Sequence, residues 1–132
     1  MHASEFTRPD AALLDLRPVI AVETTDADGT IAAFLHATLR PALKLQNDLL
    51  LAVVADFVLD HHIMLRPTDQ HHQITELMSR NIKLRYTVVG LVTGIFTATE
   101  YAFYRQHRAE LNRRLLEMAQ RRVLDQLPAL VS

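Results

Sequence analysis

The chain has 132 residues, 49% of them hydrophobic, with 14 Lys and Arg against 15 Asp and Glu and no cysteine. This length fits one domain that can bury its own core. A formal net charge of −1 disfavours a general nucleic-acid binder, since such proteins usually carry a basic excess. Without cysteine the chain has neither a disulfide framework nor thiolate chemistry, and the reducing cytoplasm is the simplest location to expect.

We predict that residues 1–29 form an extended N-terminal arm. Pro18 interrupts the arm's one apolar segment and disfavours helix at Arg17. The arm is acidic, whereas residues 105–122 are basic, so we expect the arm to lie across that C-terminal segment. Its first residues contain no apolar run of the kind a signal peptide carries. The chain therefore divides into an arm over residues 1–29 and one helical domain over residues 30–132.

Apolar residues recur at spacings of three and four along residues 30–62, which predicts the first long helix. Asp28 or Thr30 supplies its N-cap, and Pro41 marks either a kink or the first turn of a new helix. Residues 49–59 are apolar nearly all round, so we expect them to be covered on more than one side. Asp56 is the exception there, and its carboxylate would then need a partner.

Two further long helices are predicted over residues 70–93 and over residues 108–127, where Pro128 ends the pattern. Scarce glycine and abundant Ala, Leu, Arg, Gln and Glu also favour helix over sheet. We therefore predict an all-α fold, an up-down bundle of three long helices plus one short helix.

The segment over residues 86–104 combines apolar side chains with Gly90 and Gly94, one helical turn apart, a spacing that lets a second backbone approach closely. Its uncharged run is shorter than the roughly 20 residues that a membrane span needs. We therefore expect a buried core helix whose glycines seat a neighbour, and no membrane span.

A helix break is also encoded in this segment. Thr97 and Glu100 have the spacing of a capping box, and Gly94 is a candidate left-handed terminator for the preceding helix. One helix is then expected to end near Gly94 and the short one to begin near Thr97. A continuous helix remains the alternative, because Thr and Glu also occur within helices.

Histidines and carboxylates gather around the loop between the first two long helices. If these helices pack antiparallel, the loop brings together His61, His62, His72 and Glu76. Imidazole and carboxylate ligands suit Zn²⁺, Fe or Mn, so these four residues are the predicted metal site. Their spacing matches no named metal motif, and solvated histidines or a pH-responsive contact are the alternatives. No cofactor is predicted beyond a divalent metal ion at this cluster.

Two other polar groups could carry function. The first is a polar island within the first helix, formed by Lys44, Gln46, Asn47 and Asp48. It could line a proton-transfer cleft with later residues, or it could simply fix helix register. The second is a C-terminal set that could bind nucleic acid or form a solvated, ion-paired face, namely Arg105, Arg108, Arg113, Arg114, Arg121 and Arg122.

Residues 38–50, TLRPALKLQNDLL, and residues 90–114, GLVTGIFTATEYAFYRQHRAELNRR, resemble a family of small uncharacterised bacterial helical proteins, some of which carry the label glyoxalase. The resemblance implies a helical fold and supplies no catalytic residue. The chain shows neither a metallo-hydrolase histidine cluster nor the strand pattern of the other glyoxalase class.

Taken together, the sequence favours a non-enzymatic helical interaction or assembly module that forms a homodimer. The dimer is expected because a chain this short would struggle to cover the apolar surface of residues 49–59 and 86–103 alone. The alternatives are a metal-binding or enzymatic bundle centred on the histidine cluster and a nucleic-acid-binding dimer that uses the C-terminal arginines.

Overall fold

A computed structural model describes residues 6–18 and 29–131, with only the backbone of residue 131, and within these ranges the chain is helical and contains no strand. The all-helical class predicted from the sequence is confirmed for these residues. None of the described helices is both long and apolar enough to cross a membrane. The elements are α1 (Asp10–Asp15), α2 (Ile31–Phe34), a π-helical turn (Leu35–Leu39), α3 (Arg40–Leu45), α4 (Asn47–Asp60), α5 (Gln70–Arg80), α6 (Ile82–Thr93), α7 (Ala98–Gln106), α8 (Arg108–Leu124) and α9 (Pro128–Val131).

The region predicted as the first long helix is a chain of shorter segments. Thr30 is its N-cap, since Thr30 Oγ1 accepts a hydrogen bond from the Ala33 amide at 3.1 Å, while Asp28 lies outside the described residues. Pro41 lies in the first turn of α3. Proline has no amide hydrogen for the preceding turn, and the wider π-helical turn comes directly before α3. Of the two alternatives for Pro41, the structure shows the new helix.

The predicted continuous helix over residues 70–93 is wrong, because Asn81 separates α5 from α6. Asn81 has extended backbone angles, φ −79° and ψ 110°, and its Oδ1 accepts from the Leu84 amide at 2.9 Å as the N-cap of α6. Arg85 reaches back to the end of α5, where its Nη1 donates to Met78 O at 3.2 Å. Asn81 thus caps the start of α6, and Arg85 in the first turns of α6 caps the end of α5.

The predicted break between Gly94 and Thr97 is confirmed. The Thr97 hydroxyl accepts from the Glu100 amide at 3.2 Å and the Glu100 carboxylate accepts from the Thr97 amide at 2.9 Å, so the capping box is complete. Gly94 is not a left-handed terminator, because its φ is −61°. At the other end, α7 and α8 are separated at His107, and Pro128 begins α9 instead of ending α8.

Helices α4, α5, α6 and α8 surround one core, in which each presents side chains at spacings of three or four. The fully buried members from these helices are Leu50, Val54, Ile74, Leu84, Val88, Val92, Leu111, Leu115, Ala119 and Val123. The inner face of α6 thus belongs to the core, as the sequence predicts.

Two sides of α4 are less covered than its composition suggests. Leu49 and Leu59 are 49% and 71% exposed, so residues 49–59 are not covered all round by the described residues. Asp56 is exposed as well, and its carboxylate is solvated and needs no buried partner. Leu51, Val53 and Phe57 are partly buried against the core, so α4 also has cover beside its fully buried face.

Candidate functional site

The described part of the N-terminal arm docks on the corner between α6 and α7. Arg8 donates from Nη2 to Gly94 O at 2.6 Å and from Nε to Phe96 O at 3.2 Å. Arg17 Nη2 donates to Ile95 O at 3.0 Å. Carbonyls that follow the last turn of a helix have no partner within that helix, so the two arginines satisfy groups that would otherwise need water.

The arm also satisfies the start of α7. Asp10 Oδ1 accepts from the Ala98 amide at 3.1 Å, one of the orphan donors of the first turn. Phe6 packs edge-on against Tyr101, with 5.9 Å between the ring centroids. The arm is therefore not extended throughout, since Asp10 opens the short helix α1, and its described part contacts α6 and α7 through both charge signs. The predicted contact with the arginines of residues 105–122 is not formed by the described part of the arm.

Arg17 and Glu100 form a nearly buried ion pair, with side chains 7% and 14% exposed. Glu100 also accepts from Thr38 Oγ1 at 3.0 Å and from the Thr97 amide at 2.9 Å. Burial by itself would raise the pKa of Glu100, but the Arg17 hydrogen bonds, the Thr97 amide, the Arg17 charge and Thr38 together hold this pKa below its ordinary value. The Glu100 carboxylate thus joins the arm, the π-helical turn and α7.

Of the histidines predicted as metal ligands, His61 lies within hydrogen-bond distance of a backbone carbonyl and of a side-chain amide. His61 Nδ1 lies 2.9 Å from Phe57 O, and His61 Nε2 lies 3.1 Å from Asn81 Nδ2. Since Asn81 Oδ1 is taken by the Leu84 amide, its Nδ2 faces the ring, which fits the tautomer with hydrogen on Nδ1. His61 therefore caps the end of α4 and supports the Asn81 cap of α6.

The other three members of the predicted site lie near the same loop. His62 ends α4 with φ 54°, in the left-handed region. His72 and Glu76 line a shallow groove, where Glu76 pairs with Arg80 at 2.9 Å. Within residues 6–18 and 29–131, no three His, Asp or Glu groups are placed to share a metal ion. The metal site at His61, His62, His72 and Glu76 stays a prediction.

The polar island joins α4 to the end of α8. Asn47 and Gln126 exchange two side-chain hydrogen bonds, at 3.0 and 2.8 Å, and Arg122 Nη1 donates to Asn47 Oδ1 at 3.2 Å. Gln46 Nε2 donates to Leu91 O at 2.8 Å. Lys44 is exposed. These bonds fix helix register, the second of the two interpretations of this island.

The C-terminal arginines divide into two groups. Arg113 is paired locally, with Glu110 at 2.6 Å and Glu117 at 2.7 Å, and Arg108 lies over the Tyr104 ring. Arg121 and Arg122 instead line a cleft between α8 and the π-helical turn. Sequence spacing gave no sign of this division, because it depends on which parts of the chain face each arginine.

This cleft, called the arginine cleft below, has a volume of about 670 Å³. Its lining side chains come from two distant parts of the chain, His36, Arg40, Leu43, Met118, Arg121, Arg122, Asp125 and Gln126. Burial, and then the charge of Arg40, lower the pKa of Arg122. Within the described residues no carboxylate forms an ion pair with Arg40, Arg121 or Arg122. Among the described residues, the lining of the cleft therefore carries three guanidinium groups against the single carboxylate of Asp125.

A second surface feature, called the α6 face below, is the row Ile82, Tyr86 and Gly90 along one side of α6. Ile82 and Tyr86 are 67% and 74% exposed, and a Cβ built on Gly90 would have no atom within 4 Å. Gly90 therefore does not seat a neighbour from the part of the chain that the structure describes, contrary to the sequence-based expectation. Val89 and Leu116 line a groove of about 270 Å³ beside the row.

Comparisons with known proteins assign no family to this chain. No family model matches it, and no curated protein or solved structure matches it either. The resemblance of residues 38–50 and 90–114 to small bacterial helical proteins therefore stays a prediction. The function of the chain is therefore inferred from the arginine cleft and the α6 face.

Proposed function

We propose that this chain is a non-enzymatic helical interaction module that assembles as a homodimer through the α6 face. The observation that carries the proposal is the row of two large exposed apolar side chains and a glycine, Ile82, Tyr86 and Gly90, at spacings of one helical turn. Clustered apolar side chains of this size on a surface are typical of interaction sites. On this proposal the three long helical regions form an up-down bundle and the dimer works in the cytoplasm.

Gly90 supports a helical partner in particular. A glycine inside a helix costs about 1 kcal/mol relative to alanine, and none of the described residues uses the space that its missing side chain leaves. A second helix that crosses at Gly90 could bring its backbone close to α6. Tyr86 and Ile82 lie one and two turns before Gly90 and would then pack against the partner helix on the same side of that crossing.

A second copy of this chain is the partner that best fits the shape of the α6 face. A two-fold interface uses the same patch from both copies, so it needs a projection and a recess side by side. Tyr86 projects from the surface, and the groove lined by Val89 and Leu116 lies next to it. The Tyr86 ring of one copy would enter this groove in the other, where its apolar body is covered and its hydroxyl can remain in water.

The proposal is tested by light scattering on the full chain. We expect a dimer for the wild type and a monomer for the double variant Ile82→Ser, Tyr86→Ser. Gly90→Leu should also give a folded monomer, because leucine favours helix but fills the crossing point. Met64→Ser is the matched control, since Met64 is 83% exposed on a different surface and should stay dimeric.

Two results would contradict the proposed dimer. One is a wild-type chain that scatters as a monomer up to its solubility limit. The other is a loss of the dimer in Met64→Ser to the same extent as in Ile82→Ser, Tyr86→Ser, which would indicate non-specific association through any exposed apolar side chain.

A further inference from the structure

The arginine cleft holds three guanidinium groups together, and none of them forms an ion pair with a carboxylate of the described residues. Arg40 begins α3 and Arg122 lies in the last turns of α8, and the charge of Arg40 is felt at Arg122. Two guanidinium groups in this relationship repel each other, and an anion between them would reverse the sign of the interaction. Asp125 also lines the cleft, so one carboxylate stands against three guanidinium groups and an excess of positive charge remains.

Arg122 is held in position by its neighbours. Its Nη1 donates to Asn47 Oδ1 at 3.2 Å, and Gln126, which fixes Asn47 through two hydrogen bonds, also donates from Nε2 to Arg122 O at 3.0 Å. Arg122 donates no other side-chain hydrogen bond to the described residues, so its remaining N–H groups are available to a ligand. A group oriented in advance loses less conformational entropy when it binds.

Two of the other side chains that line the cleft, Leu43 and Met118, are apolar. Leu43 belongs to the core and Met118 packs against it, so the two side chains form a rigid, water-poor floor beside the charges. A volume of about 670 Å³ lies in the range of roughly 300–1,000 Å³ that small-molecule sites occupy. The arrangement of a charged rim and an apolar floor fits a ligand that has an anionic group and an organic part.

We propose that the arginine cleft binds a small organic phosphate, with the phosphate group between Arg40 and Arg122 and the organic part on Leu43 and Met118. A phosphate monoester carries nearly two negative charges at neutral pH and offers three acceptor oxygens, whereas a carboxylate carries one charge and two oxygens. Guanidinium forks match the phosphate geometry. This inference does not depend on the dimer, because the cleft and the α6 face share no residue.

The test is calorimetric titration of the full chain with two probes, inorganic pyrophosphate and ADP. Arg40→Gln should weaken the binding of both probes about tenfold or more, the loss expected when a hydrogen bond to a charged group is removed. Arg40 is exposed and its side chain forms no hydrogen bond within the described residues, so this change should leave the fold intact. Arg113→Gln is the matched control, because Arg113 lies on α8, as Arg122 does, but outside the cleft. This change should alter the affinity less than about twofold.

Two further variants separate the fork from the floor. Arg122→Lys keeps the charge but loses the planar fork, and it should weaken both probes as Arg40→Gln does. Met118→Ala should weaken ADP severalfold and leave pyrophosphate unchanged, since only ADP has an organic part. Both probes should also bind to the Ile82→Ser, Tyr86→Ser variant, so a failure of the dimer is distinguishable from a failure of this site.

Three outcomes would overturn the proposal. The first is the absence of saturable binding of both probes to the wild type. The second is an equal loss in Arg113→Gln and Arg40→Gln, which would indicate a diffuse charge effect. The third is binding of duplex DNA without binding of either probe, which would favour a nucleic-acid function for these arginines instead.

Discussion

Arg17 and Glu100 form a nearly buried ion pair although they are 83 positions apart in the chain. Glu100 also completes the capping box of α7 with Thr97 and accepts a hydrogen bond from Thr38. The same carboxylate therefore stabilises a helix start locally and holds the N-terminal arm against the helical domain. The first two predictions concern this pair.

Removing the cation should be much more costly than removing an exposed one. In Arg17→Ala the Glu100 carboxylate stays nearly buried without its opposing charge, and we expect a loss of about 3 kcal/mol in the free energy of unfolding, measured in urea. Arg66→Ala is the control, because Arg66 and Asp69 form an exposed pair at 3.2 Å, and its cost should stay below about 1 kcal/mol. Equal losses in the two variants would contradict the structural role given to Arg17.

Acid should remove the contribution of Glu100. Its pKa in the folded chain lies below the ordinary value of 4.5, so its stabilising effect is complete above that value and is lost as pH falls through the folded-state pKa. The difference in unfolding free energy between the wild type and Glu100→Gln should therefore be constant near neutral pH and shrink below pH 4.5. Other carboxyl groups titrate in both proteins and cancel. A difference that does not change with pH would show that folding does not lower the pKa of Glu100.

The capping box should be measurable on its own. Thr97→Ala removes the hydroxyl that accepts from the Glu100 amide, and we expect a loss of about 1–2 kcal/mol in urea unfolding. Thr99→Ala is the matched control, because Thr99 is exposed within α7 and alanine is the better helix former, so stability should stay the same or rise slightly. If both variants lose the same stability, the effect does not come from the cap.

The two glycines of α6 and its end should respond to alanine in opposite directions. Gly90→Ala should raise the stability of the monomer by up to about 1 kcal/mol, because its Cβ meets nothing within 4 Å. Gly94→Ala should lower it by about 1–3 kcal/mol, since its Cβ would lie 2.9 Å from Gly90 O, a backbone atom that cannot easily move. Both changes are made in the Ile82→Ser, Tyr86→Ser background, so that assembly does not contribute. Effects of the same sign would contradict this prediction.

Local signals in the sequence predicted those parts of the fold that depend on neighbouring residues. The capping box of Thr97 and Glu100 forms as expected, because its two partners are three residues apart and need no tertiary contact. The Asn81 cap was missed, although asparagine is a preferred N-cap, because the apolar periodicity continues through it from α5 into α6. The prediction of a left-handed Gly94 was wrong, because its φ is −61°. The Gly94 carbonyl accepts a hydrogen bond from the Arg8 side chain, a contact that residue spacing does not contain.

The contacts that form the arginine cleft could not be predicted from neighbouring residues in the sequence. Arg40 and Arg122 lie far apart in the chain, and only the packing of α8 beside the π-helical turn brings them to one cleft. The metal site at the histidine cluster was predicted from proximity along the chain and stays a prediction. The structure adds contacts that spacing does not contain, between Asn81 and the His61 ring and between Arg80 and Glu76. The polar partners of a side chain are fixed by tertiary packing, which residue spacing alone does not contain.

The pairing of Arg17 with Glu100 also bears on how the chain reaches its native state. During synthesis Arg17 leaves the ribosome long before Glu100 is made, so the arm must wait for most of the helical domain before it can dock. Contacts of such long sequence separation form late, because the entropy of closing a large loop has to be met first. Docking of the arm is thus expected late in folding. A nascent chain that lacks α7 should leave its first residues accessible to protease.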